Sequence, residues 1–296
     1  MNDKCILALG FFDGVHMGHA ALLKACRELA QLHNVKPGAV TFGTHPDGVV
    51  RGNAPGLINT LADRERLLQK EGMESIIILP FDRKVRSQSW QEFIQNLEQT
   101  CNAVGFVCGQ DFRFGNRGEG TAEKLQKYCE EKGIPCAVVP EQQLDGLTVS
   151  STHIRYLMET GHMSQAVRFL GHPHVLTGKV VHGHQLGRTL GIPTANLMLP
   201  KELVVPRFGV YACVAVINGT RYAAVTNIGT RPTVAGIGIT VEPWILDFDG
   251  DLYEREITLE FYQFLRPERR FSTLDAMREE IFRNASDARK ILKPLL

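Results

Sequence analysis

Cys5-Ile-Leu-Ala-Leu9 leads directly into Gly10-Phe-Phe-Asp-Gly-Val-His-Met-Gly-His19, and Ala20 to Leu32 continues as an amphipathic stretch. A short apolar run, a glycine-rich turn and then a 3.6-residue apolar period read as strand, turn and helix. The turn carries three glycines and two histidines, His16 and His19, three positions apart. Free N–H groups at a helix N-terminus attract anions, and two imidazoles there add donors for charge that develops in a transition state. The segment therefore reads as a phosphate site. Zinc on His16 and His19 is not expected, because no further Cys/His cluster completes a tetrahedral set. A histidine acting as helix cap, and Asp13 acting as a turn residue that bonds its own backbone, are the structural alternatives.

Outward from this turn, β-type runs recur at Ile6–Leu9, Ala39–Phe42, Ile76–Leu79, Ala103–Val107 and Ala137–Val139, separated by helix-like segments. Thr60-Leu-Ala-Asp63 and Ser89-Trp-Gln-Glu92 resemble capping boxes. Strands alternating with helices predict a mostly parallel sheet covered on both faces, with ligands at the carboxyl ends of its strands. The pattern changes near Leu170-Gly-His-Pro173. Runs at Val175–Val181, Val210–Ile217, Tyr222–Ile228, Val241–Phe248 and Ile257–Phe264 follow without helices of similar length. Closely spaced strands with turn signals predict an antiparallel barrel. Ser272 is the expected cap of a final helix reaching about Leu292.

Composition narrows the class. The chain has 296 residues, 44% hydrophobic and 22% charged, enough for one large domain or two ordinary ones with their own cores. A net charge of +1 gives no electrostatic reason for a nucleic-acid partner, and no apolar run is long enough to span a bilayer. The chain enters its first strand almost at once, so no signal peptide is expected. Seven cysteines, odd in number and never in a CxxC spacing, read as buried reduced thiols and imply the cytoplasm.

Three further segments carry chemistry. Ser150-Ser-Thr-His-Ile-Arg155 sets hydroxyls ahead of an arginine at a helix start, a second possible phosphate cradle or simply an N-cap. Gly109-Gln-Asp-Phe-Arg-Phe-Gly115 reads as a loop after a strand, presenting two aromatics beside charges. Gly178-Lys-Val-Val-His-Gly-His-Gln-Leu-Gly-Arg188, continuing to Pro193-Thr-Ala-Asn196, is rich enough in glycine for backbone amides to wrap phosphates. Its Thr194 and Asn196 offer hard oxygen donors of the kind Mg²⁺ accepts beside substrate phosphates. The alternative is a glycine-rich hairpin with a polar turn.

These segments, in this order, resemble the bacterial bifunctional riboflavin kinase/FAD synthetases. Gly10–His19, Gly109–Gly115 and Ser150–Arg155 match the nucleotidyltransferase half, as does Thr41-Phe-Gly-Thr-His-Pro46, with Thr44 where proline is usual and Phe11 for a frequent asparagine. Gly178–Asn196, Gly209-Val-Tyr211, Asn227–Thr233, Val241-Glu242 and Phe264-Leu-Arg266 match the kinase half. Departures there are Val234 for phenylalanine, Trp244 for histidine and Glu254 for glycine, the last two expected to reshape the flavin pocket.

The resemblance implies a Rossmann-like nucleotidyltransferase domain with a parallel sheet over residues 1–172, and an antiparallel β-barrel riboflavin-kinase-like domain ending in a helix over 173–296. It implies that His16 and His19 act at the ATP phosphates and that Glu242 is the kinase's catalytic carboxylate. Gly10, Phe12, Asp13, Gly14, Gly18, His45, Asp111, Ser151, Thr152 and Arg155 would hold the first nucleotide. Gly178, Lys179, Gly183, Gly187, Arg188, Asn227 and Arg266 would hold the ligands of the second site, with Mg²⁺ on Thr194 and Asn196.

Riboflavin, FMN, FAD and ATP are then the expected partners, with no nucleic acid, no membrane and at most weak self-association. The expected reactions are riboflavin to FMN and FMN to FAD. The rival is adenylylation alone, with the barrel as a flavin-binding module; cytidylyl or aminoacyl transfer on the same turn is a second. Aminoacyl transfer usually brings a lysine-rich loop where this chain has Ser150–Arg155.

Overall fold

The computed structural model describes residues 3–45, 54–182, 191–233 and 236–296. By contact density they form two units. The first is Met1–Leu57 with Leu61–Ser151, and the second is Ile58–Thr60 with Thr152–Leu296.

The first unit contains β1 (Cys5–Leu9), α1 (Met17–Leu32), β2 (Lys36–Phe42), α2 (Leu61–Lys70), β3 (Ser75–Leu79), α3 (Arg83–Ser87), α4 (Trp90–Cys101), β4 (Ala103–Gly109), α5 (Ala122–Lys132) and β5 (Cys136–Val139). A small hairpin of β6 (Gln143–Leu144) and β7 (Leu147–Thr148) follows. The main sheet has the order β3-β2-β1-β4-β5, every neighbouring pair parallel. All five residues of β1 are buried, which is why the strand is apolar throughout rather than alternating. Its side chains nonetheless divide by the two-residue period of a strand. Cys5, Leu7 and Leu9 pack with Phe93, Ile94 and Leu97 of α4 and Leu125 of α5. Ile6 and Ala8 pack with Leu22, Leu23, Cys26 and Ala30 of α1 and Leu68 of α2. Strand order reverses at β1, where the chain first moves outward through β2 and β3 and then returns to β4. That reversal opens a crevice at the carboxyl ends of β1 and β4.

Ser89 closes the capping box expected of it: its hydroxyl accepts from the Glu92 N–H, and Glu92 accepts in return from the Ser89 N–H. The aromatics of the 109–115 loop pack inward. Phe114 is buried in the core, with Phe112 stacked on it at 5.4 Å.

The second unit begins with α6 (Ser151–Glu159, entered from Thr152) and α7 (Met163–Leu170). Met163, Ala166, Phe169 and Leu170 make one buried stripe along α7, which packs on β8 (His174–Lys179) and β13 (Glu256–Pro267). Residues 152–170 therefore pack with the second unit, ahead of the 172/173 boundary expected from the sequence. The remaining strands are β9 (Leu197–Met198), β10 (Gly209–Ile217), β11 (Thr220–Thr233) and β12 (Gly236–Ile245), in the antiparallel order β8-β13-β10-β11-β12-β9. The edge strands come together at Gly178, where a Cβ would sit 2.9 Å from the Leu197 side chain. The sheet is thus a nearly closed barrel.

One face of β10, at Val210, Ala212 and Val214, is covered by Ala285, Ala288 and Leu292 of the final helix α8 (Leu274–Leu292). The cap of α8 is Thr273, one residue beyond the expected Ser272; its hydroxyl accepts from the Ala276 N–H at 3.1 Å.

Leu7 is fully buried between α4 and the sheet, whereas Leu32 is 78% exposed. Leu7→Ala should lower stability by about 2–5 kcal/mol in urea unfolding, and Leu32→Ala by no more than about 0.5 kcal/mol.

Candidate active sites

The first site is a consequence of how β1 ends. Gly10 N–H still bonds Val40 of β2 at 3.3 Å. The chain then reverses through Phe12 (φ +58°), Gly14 (φ +82°) and Val15 (φ +41°). A left-handed valine is rare, and such residues persist only where their surroundings over-determine them. Here Phe12 and Val15 are buried in the core beside α1. Ser151 adds a bond from its hydroxyl to the Asp13 carbonyl at 2.9 Å. Gly10 is required because a Cβ would lie 2.9 Å from the Phe12 ring, which folds back over it.

His16 is the N-cap of α1: its Nδ1 accepts from the His19 N–H at 3.3 Å. Acceptance at Nδ1 assigns the neutral ring's proton to Nε2. The two imidazoles stack, with centroids 3.7 Å apart and planes 14° from parallel. Phe12 meets His19 edge-on at 5.2 Å. Gly18 leaves room for this pair, since its Cβ would fall 3.2 Å from the His16 ring. Burial first, then the charges of His16 and Arg64, hold His19 well below the ordinary histidine range, so its ring is neutral. His19 Nδ1 is buried with no hydrogen-bond partner among the described residues.

A cavity of about 320 Å³ lies here, lined by His16, Gly18, His19, Gly109, Asp111 and Ser151 among others. It occupies the crevice where the strand order reverses. His16, Gly18, His19, Asp111 and Ser151 are thus brought together. Phe12 contributes a core ring, and His45 packs edge-on against Phe11 at 4.8 Å. Thr152 and Arg155 follow Ser151 along α6 and belong by contact to the second unit.

One residue escaped the sequence reading. Arg64 of α2 is fully buried and donates to the Phe11 carbonyl at 2.8 Å. The available signal was its spacing, three and four residues before the buried Leu67 and Leu68.

The second site lies in the second unit, in a cavity of about 330 Å³ lined by Thr194, Asn227, Glu242, Trp244, Arg266 and Phe271 among others. Asn227 and Glu242 face each other across β11 and β12, so the antiparallel register itself sets their spacing. Thr240 donates to Glu242 Oε1 at 3.1 Å. Arg266 is held by Asn284 Oδ1 at 3.0 Å and by the buried Glu280 at 3.4 Å. Burial disfavours its charge, while Glu280 acts in the opposite sense. Phe271, Met277 and Ile281 complete the wall from α8 and the segment before it; Met277 and Ile281 follow from the helix's apolar period, and none of the three was singled out in the sequence.

Thr194 reaches the cavity through a bridge to Trp244. Asn196 is buried, and its carbonyl accepts from the Val181 N–H at 2.8 Å. Gly178 serves barrel closure, and Lys179 is paired with Glu254. Of the two departures expected to reshape the pocket, Trp244 lines it. Glu254 is not among the lining residues; it sits at φ +64°, a conformation that suits glycine, and acts on Lys179 instead. Gly183, Gly187, Arg188 and Val234 lie outside the described residues.

Among the described residues no helix is long and apolar enough to cross a membrane. They also include no cluster of three or more His, Cys, Asp or Glu that could hold a metal ion. Both halves match known families: FAD synthetase over residues 1–153 and riboflavin kinase over residues 170–292. The bifunctional riboflavin kinase/FMN adenylyltransferase of Pseudomonas fluorescens is 38% identical over 98% of this chain and 94% of its own length. Its counterpart in Escherichia coli K12 is 37% identical over 98% and 93%. The crystal structure of a macrolide-efflux protein from Streptococcus pneumoniae superposes with a TM-score of 0.88 at 30% identity, covering 98% of this chain and 95% of that one. With the two domains present in the same order and over nearly the full length of these relatives, the chain belongs to the bifunctional riboflavin kinase/FMN adenylyltransferase family.

Proposed function

We propose that the chain phosphorylates riboflavin to FMN with ATP in the barrel and adenylylates FMN to FAD, releasing pyrophosphate, at the histidine turn. The observation that carries this reading is the contrast between the two cavities. One is built around a stacked imidazole pair at a helix N-terminus, the other around a carboxylate fixed opposite an amide. The division of labour follows the chain, residues 1–172 for adenylyl transfer and 173–296 for the kinase, although residues 152–170 pack with the second unit.

The two chemistries make different demands. The ribityl 5′-hydroxyl is protonated at neutral pH and needs a positioned acceptor as it attacks the γ-phosphorus of ATP, which Glu242 supplies. Asn227 and Arg266 orient the substrate. Thr194, which lines the cavity, and Asn196, which is not among its lining residues, each offer an oxygen donor of the kind Mg²⁺ accepts when phosphates complete its shell. The ion, when bound, offsets charge on the transferred phosphoryl group. FMN arrives with its phosphate largely ionised, its second pKa being about 6. The first site needs no general base for that nucleophile. Its task is to bring two anions together and to stabilise charge on the α-phosphate as pyrophosphate leaves. His16 through Nε2–H, His19, the α1 dipole, and Thr152 and Arg155 serve that task, with Asp111 placing the nucleotide. Seven free thiols, five of them buried, support a cytoplasmic location.

Riboflavin with Mg-ATP should yield FMN; its absence would leave adenylylation as the chain's one activity. Glu242→Gln should lower FMN formation by about 10²–10⁴-fold and spare FAD formation from supplied FMN. His19→Ala should do the reverse, by about 10²–10³-fold. Loss of both activities in either folded variant would refute two independent sites. In ¹⁵N-histidine NMR of the ligand-free protein, His19 should keep a neutral-ring signature at about pH 6.5, where an unperturbed histidine is half protonated. A half-charged ring there would show that burial does not set its state.

A further inference from the structure

Arg64 has no place in the reaction as described, yet it is among the largest fully buried side chains of the protein. Burying a guanidinium is costly unless its donors are matched, and here the match is partial and directional. Nη1 donates to the Phe11 carbonyl at 2.8 Å and to Thr41 Oγ1 at 3.2 Å. Thr41 Oγ1 donates to that same carbonyl at 2.7 Å. The guanidinium carbon also lies 4.4 Å over the centre of the Phe11 ring. Nε and Nη2 have no hydrogen-bond partner among the described residues. The triangle joins α2, the end of β2 and one peptide oxygen.

That oxygen is the informative part. It belongs to the peptide entering Phe12, the first left-handed residue of the turn. Rotating this peptide out of the sheet leaves its carbonyl without a ladder partner, and Arg64 and Thr41 both donate to it. From Phe12 the effect passes by short steps: its carbonyl accepts from the Val15 N–H at 3.1 Å, and its ring abuts His19. Arg64 is absent from the residues lining the cavity of about 320 Å³. Its hydrogen bonds go to the turn and to the end of β2. Both bonds leave from Nη1 while the guanidinium plane lies over the Phe11 ring; an ammonium group could supply the donors but not that flat contact.

We propose that Arg64 is a positioning residue for adenylyl transfer: through the Phe11 carbonyl and Thr41 it clamps the Gly10–His16 turn in the strained conformation that sets the stacked pair His16 and His19. This rests on the assignment of that pair to adenylyl transfer.

The test uses the full chain, assayed separately for FMN formation from riboflavin and for FAD formation from FMN. Arg64→Met should lower kcat for FAD formation about 10²-fold, the cost typical of a misplaced catalytic group, with KM for ATP and FMN changed less than about twofold. Arg64→Lys should recover only a small part of this. Thr41→Val, which leaves the arginine in place, should lower the same kcat by about 3–10-fold and carries the test if Arg64→Met does not fold. FMN formation should be unchanged in all three.

A raised KM for ATP at unchanged kcat would make Arg64 a ligand of the nucleotide and overturn the proposal. So would parallel loss of both activities, which would make its role structural, or an unchanged kcat in the folded variants. His19→Ala assayed alongside separates the two failures. If it retains FAD formation, the site assignment is wrong whatever Arg64 does.

Discussion

A strand buried on both faces has to leave its sheet abruptly, and the rest of the first site follows from how β1 does so. Phe12, Gly14 and Val15 take left-handed backbone conformations within four residues, at a cost of about 1–3 kcal/mol for each non-glycine position. The burial of Phe12 and Val15 in the core offsets that cost, and bonds from Thr41, Arg64 and Ser151 fix the two carbonyls the turn exposes. The reward is placement. Helix α1 starts at once, with His16 as its cap and its ring lying flat on His19. Capping and chemistry are therefore not rival readings of His16. The bond that caps the helix uses Nδ1, and by using it leaves Nε2–H as the donor. Gly18 has a similar double character: a Cβ there would crowd the His16 ring, and the residue itself lines the cavity.

The barrel solves its placement problem by a different route. Among the described residues of β11 and β12 none takes the left-handed backbone of the first turn. The position of Glu242 opposite Asn227 comes from the pairing of β11 with β12, and a slip of β12 by one residue would turn the carboxylate to the other face. Register is held by burial. Val241 is fully buried beside Glu242, and Thr240 on its other side is nearly so. On the far wall α8 brings Glu280 and Asn284 against Arg266, so a charged group that lines the cavity is itself fixed from behind. One half thus orients its groups by local backbone geometry, the other by long-range pairing.

This difference explains what could be read in the sequence. The strands of both sheets were legible because burial demands apolar runs, and the capping box at Ser89 because its residues are local. The histidine turn was legible for the same reason. Long-range consequences were less so. The two-residue β9 has no periodic signal, and its pairing with β12 depends on a segment far along the chain. Residues up to 172 read as the first half, yet the buried stripe of α7 matches β8 and β13. Phe114, in a loop full of charge, is buried, because Gly115 and Gly120 bring the loop close against Trp90. Arg64 was invisible because a charged residue on a helix is normally a solvated one; only its register with Leu67 and Leu68 argued otherwise.

The protonation state of the histidine pair bears on why such a turn suits a charged nucleophile. A permanently protonated His19 would attract both ATP and FMN strongly in the ground state, and uniform binding of that kind does not raise kcat. Burial, the stacked His16 and the nearby Arg64 charge keep it neutral instead. Phosphate charge entering the crevice acts in the opposite direction from each of these influences, so positive charge on the ring becomes more favourable as negative charge collects beside it. In a buried pocket that dependence is steep, because a weakly polarisable surrounding screens it little. On the assignment proposed here, the groups that make His19 a poor cation in the free protein are the ones that make its stabilisation of the α-phosphate differential, and Arg64 contributes to this through its charge as well as through the turn it holds.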